Sequence, residues 1–73
     1  MKLSEIKRGK KVTVLSMDMN KIAAERLSKI GLTNGSEVTV IRQAPFNGPI
    51  EIKVRGFYVT IRKNQAEQIT VKY

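Results

Sequence analysis

Apolar residues recur at two spacings along this chain, and the switch between them marks its elements. Leu3 and Ile6 lie three apart, so one helical turn before Gly9 buries both. Residues 11–17 are rich in β-branched side chains and begin with strict alternation, which predicts a strand with Val12 and Val14 inward. The period then changes. Asn20 is a good N-cap, Ile22, Ala23, Leu27 and Ile30 share one face, and Gly31 suits the position just past a helix end. Leu32 is placed to touch Leu27 in a Schellman-type closure. A second strand is predicted over 37–44 with Val38 and Val40 inward, followed by the loop Ala44-Pro45-Phe46-Asn47-Gly48-Pro49. Ile50, Ile52 and Val54 alternate with charges, and after Gly56 so do Phe57, Val59 and Ile61 with Tyr58, Thr60 and Arg62. That is a hairpin of two half-buried strands, with these apolar residues of each on the inward phase. Residues 64–67 suit one 3-10 turn, and Ile69, Val71 and Tyr73 make a last strand.

Five short strands need an arrangement that leaves few free edges, and a small, strongly bent barrel meets that need. The expected fold is therefore mainly β: a five-stranded SH3-like barrel, with one short α-helix between the first two strands and a 3-10 turn before the last. A chain of 73 residues is expected to be one domain, residues 1–73. At 41% hydrophobic and 27% charged residues, its composition is that of a folded protein and not of a disordered tail.

The candidate chemistry is sparse. There is no histidine and no cysteine, so the commonest general base and the strongest transition-metal ligands are missing. The serines have no base to pair with, the six acidic residues are scattered, and no glycine-rich phosphate loop is present. Met17, Asp18 and Met19 are clustered, but thioethers at a strand end serve as core filler. No catalytic residue, metal ligand or cofactor is expected, and the protein reads as a binding module and not an enzyme. No signal-peptide core follows Met1, and no apolar run approaches the ~20 residues of a membrane span, so residence in the cytoplasm is expected.

Charge changes this picture. Fourteen Lys and Arg against six Asp and Glu give a formal charge of +8, a field that attracts anionic partners. Arg26 falls between Ile22 and Ile30, inside the apolar arc of the helix. Either its stem lies on the barrel rim, or this face is a docking surface. Phe46, on a loop stiffened by two prolines, either closes the barrel end or stands as an aromatic anchor. Arg42, Lys53, Arg55 and Arg62 are at or near outward positions, as a solvated sheet face or as a receptor for an acidic partner. The run from Lys7 to Lys11 suits phosphate contacts, which keeps a basic SH3-like RNA-binding module as the alternative.

The order Leu3-x-x-Ile6-x-x-Gly9, then Arg26-Leu27-x-x-Ile30-Gly31-Leu32-x-x-Gly35, resembles the ferrous iron transport protein A family, FeoA. So do Ala44-Pro45 with Gly48-Pro49, Val54-Arg55-Gly56-x-x-Val59-Thr60-Ile61-Arg62, and Ala66-x-x-Ile69-x-Val71. The resemblance implies a cytoplasmic SH3-like accessory protein for Fe(II) uptake, acting on the cytoplasmic part of the FeoB membrane transporter. It brings no catalytic residue. Together with the residues above, it gives Arg26, Leu27, Pro45, Phe46 and Arg62 as the expected partner-binding set.

Overall fold

The computed structural model describes residues 1–73. Strands β1 (Lys11–Met17), β2 (Glu37–Gln43), β3 (Ile50–Val54), β4 (Phe57–Ile61) and β5 (Ile69–Lys72) form one antiparallel sheet in the order β4-β3-β2-β1-β5. Helix α1 (Lys21–Lys29) lies between β1 and β2, and the single turn α2 (Lys63–Ala66) between β4 and β5. The expected mainly β architecture is the one observed. The turn before β5 is α-type, since the amides of Ala66 and Glu67 reach back four residues to Arg62 and Lys63. A 3-10 helix is found instead at Leu3–Glu5, where it buries Leu3 and leads into buried Ile6.

The valine and isoleucine alternation sets the register. Val12 pairs with Val38 and Val38 with Val54, so three buried valines cross the sheet in one row. Ile50 and Ile52 pair with Ile61 and Val59. One extra residue bulges from β1 at Leu15 and one from β2 at Ile41. A bulge bends and twists its strand, and these two curl the sheet around a core of 15 buried side chains. The β1 bulge also shifts the phase after Val14: Ser16 is left exposed beside Leu15, and Met17 packs against the core.

The two end strands are not hydrogen-bonded neighbours. Their edges are treated differently. The free side of β5 is covered by the N-terminal segment, where Val71 N donates to Met1 O at 2.7 Å and Lys2 bridges Thr70. Beyond its ladder with β3, β4 has no backbone hydrogen bond at all.

Helix α1 begins where Asn20 accepts from the Ala23 amide at 2.8 Å. It ends in a full Schellman motif: Leu32 N donates to Leu27 O and Gly31 N to Ser28 O, both at 3.0 Å. Its packing departs from the expected arc. The row Ala23–Leu27–Gly31 faces the barrel, with Leu27 only 6% exposed and Gly31 buried. The neighbouring row Ile22–Arg26–Ile30 is turned outward, and Ile22 is 66% exposed. Phe57 and Tyr73 also depart from their expected inward phase, at 70% and 65% exposed. Each sits at a strand end, beyond the last turn of the curled sheet that could cover it. No helix is long and apolar enough to cross a membrane.

Candidate docking surface

Both tight hairpins of the sheet turn through left-handed backbone. At the β3–β4 turn Arg55 and Gly56 have φ of 54° and 81°, and in the β2–β3 loop Phe46 and Asn47 have φ of 58° and 59°. This is the conformation of type I′ turns, where Asn-Gly is the favoured pair. A large side chain at the first left-handed position costs about 1–2 kcal/mol. The two residues differ in what they gain for it.

Arg55 is used internally. Its stem crosses the end of α1 so closely that a Cβ on Gly31 would stand 2.6 Å from Arg55 Cδ. Gly31 itself has φ of 91°. The absence of a side chain at Gly31 thus closes the helix and seats the hairpin against it.

Phe46 gains nothing inside the chain. The loop is held by Ala44 N donating to Pro49 O at 2.9 Å and Gly48 N to Pro45 O at 3.1 Å. The ring at its tip is 98% exposed. Of the two readings of Phe46, the barrel-end contact is the one the structure removes. Pro45 is exposed beside it.

Between the end of α1 and β4 runs a cleft of about 370 Å³. Ile30, Phe57 and Val59 supply its apolar lining, Lys29 and Arg55 its charge, and no acidic residue lines it. Lys53 Nζ stands 5.6 Å from the centre of the Tyr58 ring, an opposed pair across β3 and β4. The one ion pair of the chain, Arg42 to Glu51 at 3.1 Å, also links opposed strand residues, and it is exposed. Lys2 Nζ donates to Thr70 Oγ1 at 3.3 Å, and the remaining cations make no side-chain hydrogen bond or ion pair within the chain. No group of three or more acidic side chains is arranged to hold a metal ion.

The expected partner-binding residues do not converge on one pocket. Arg62, at the end of β4, shares a shallow depression with Asn47, Gly48 and Pro49 of the Phe46 loop. Arg26 belongs to the outward row of α1 that leads through Ile30 to the cleft at the other end of β4. About 14 Å of strand separates the two ends. Leu27 is corrected: it is a core residue that supports α1 from beneath and presents nothing to a partner. Strand β4 joins the two patches, and periodicity within it does not reveal that it lies at the end of the sheet. The available signal was five successive uncharged strand formers, Phe57 to Ile61, at the end of a sheet.

A family model described as the FeoA domain matches residues 1–73. The solution structure of a FeoA protein from Chlorobium tepidum superimposes with a TM-score of 0.91 at 42% identity, covering 97% of this chain and 68% of that one. A zinc-complexed FeoA from Stenotrophomonas maltophilia, described as a procaryotic SH3 domain protein, gives 0.80 at 26% identity, covering 99% of this chain and 89% of that one. The fold is accordingly SH3-like. A relative from Porphyromonas gingivalis, a fusion of Fe(2+) transport protein A with the Fe(2+) transporter FeoB, is 25% identical over 72 residues. Those residues are 99% of this chain and 8% of the fusion protein.

Proposed function

The chain belongs to the FeoA domain family, and from that premise we propose that it supports ferrous iron uptake by docking on the cytoplasmic part of a FeoB-type membrane transporter. The observation that carries this reading is the fusion relative, in which a segment like this chain and a FeoB transporter are one polypeptide. Linking two modules raises their effective concentration to the millimolar range, an arrangement suited to partners that act together. On this reading the protein is a non-catalytic accessory and works in the cytoplasm.

The surface supplies the chemistry that docking needs. Phe46 is an aromatic anchor on a stiff loop, flanked by Pro45, and the same loop lines a depression with Arg62 through Asn47, Gly48 and Pro49. Arg26 stands between two exposed isoleucines on α1. The +8 charge steers encounter with an acidic face. The RNA-binding alternative draws on that charge and on the run from Lys7 to Lys11.

Capture of the full chain by the transporter's purified cytoplasmic domain is the direct test. Wild type is retained, while Arg26→Glu and Phe46→Ala each weaken retention at least tenfold. Equal retention of all three removes the site assignment. No retention of wild type, with iron uptake unchanged in cells lacking the protein, removes the function.

A further inference from the structure

We propose that the outer edge of β4 is a strand-addition site that takes an extended, acidic peptide segment of a partner protein. The proposal stands on this edge alone, independent of which protein supplies the segment.

The edge is open. Phe57, Val59 and Ile61 pair with Val54, Ile52 and Ile50 across a two-residue turn. In such a hairpin these residues exchange hydrogen bonds with β3, and the residues between them turn their N–H and C=O the other way. Tyr58 and Thr60 therefore present two donors and two acceptors outward, and no hydrogen bond of the chain uses them. Both residues are solvent-exposed.

The edge is also unprotected. Sheet edges are ordinarily blunted by proline, a bulge, an inward charge or a covering segment. The β5 edge has its cover in Met1 and Lys2. Strand β4 has an unbroken register with β3 and no proline or charge from Phe57 to Ile61. All five of its residues are aromatic or β-branched.

The surroundings select the occupant. Lys29 and Arg55 stand at one end of the strand, Arg62 and Lys63 at the other, and Lys53 lies against Tyr58. These five cations outnumber the two nearby acids: Glu67, beside Arg62 and Lys63, and Glu51, which faces Thr60 and is already paired with Arg42. An added strand places alternate side chains on opposite faces, so an apolar residue can enter the cleft of Ile30, Phe57 and Val59 while acidic neighbours meet the cations. A second copy of this chain fits poorly. Antiparallel self-pairing of two β4 strands brings together two molecules that each carry +8, with the cations that flank the strand on both sides of the new ladder.

The test uses the isotope-labelled full chain and a blocked nonapeptide alternating glutamate and valine, titrated at low salt and followed by amide shifts. Saturable shifts centred on Tyr58 to Thr60 are expected, with none from an alternating lysine–valine peptide. Thr60→Pro removes one outward N–H and is expected to weaken binding at least tenfold. Should that variant fail to fold, Arg62→Glu serves in its place and is expected to weaken binding severalfold. Shifts spread over the whole basic surface, equal binding of the lysine peptide, or no shift at millimolar peptide each overturn the proposal. So does a concentration-dependent dimer whose broadened amides are those of β4, because it gives the edge to a second copy.

Discussion

Phe46 and Arg55 occupy equivalent places in two turns, and comparing them isolates what a strained residue does. Arg55 offsets its left-handed backbone by packing across Gly31. Phe46 has the same backbone and an unburied ring. Removing that ring therefore sacrifices no core contact and relieves the strain. Phe46→Gly is expected to unfold in urea at the wild-type midpoint or above it, with stability up to about 1 kcal/mol higher. Partner capture by the same variant is expected to fall. A loss of stability larger than about 1 kcal/mol means the ring has a structural contact and is no free anchor. At this scale the sequence singled out Phe46 but not its exposure, because an aromatic in a proline-rich loop packs inward or outward depending on neighbours that come from elsewhere in the chain. Phe57 and Tyr73 illustrate the same limit: alternation gave each an inward phase, and the ends of the sheet left both uncovered.

Helix α1 shows how an element can be read correctly and oriented wrongly. Its cap at Asn20 and its Schellman closure at Gly31 and Leu32 are local features, and local residues specify them. Its apolar arc is wider than the barrel can cover, so only one of two adjacent rows is buried. The row 23–27–31 won because Gly31 allows the close approach of Arg55 and draws the helix end onto the hairpin. Gly31→Ala tests both roles at once. A Cβ there meets a left-handed φ and the Arg55 stem, so thermal unfolding is expected to show a loss of about 1–2 kcal/mol. The exposed amides of β4 are expected to shift with it, since the hairpin must move. A shift confined to α1 means that helix and hairpin are not coupled through this contact.

The molecule as a whole carries +8 on a body of 28 × 22 × 22 Å with one ion pair. At about 0.01 M salt the screening length is near 30 Å, so every cation feels every other; at about 0.15 M it is near 8 Å. Stability is therefore expected to rise with moderate salt as self-repulsion is screened. A change of about 1 kcal/mol moves the Tm of a chain this size by about 4–8 °C. A melting series between those two salt concentrations is expected to rise by a few degrees. A flat or falling series means that the charges are already balanced locally. Partner capture is expected to follow the opposite trend, because salt also screens the attraction to an acidic face.

The chain by itself determined its strands, its helix with both ends, its tight turns and its lack of a nucleophile–base pair. These follow from spacing, from turn chemistry and from residue types that are present or missing, all within a few neighbours. The family pattern was equally legible, because it is a matter of residue order. Only tertiary structure decided which of two rows of α1 is buried, that the β5 edge is covered while the β4 edge is open, and that Arg62 lies beside the Phe46 loop. Those outcomes depend on how two bulges curl the sheet and on which segments, far apart in sequence, come to lie together. Periodicity within one segment carries no information about what arrives to cover it.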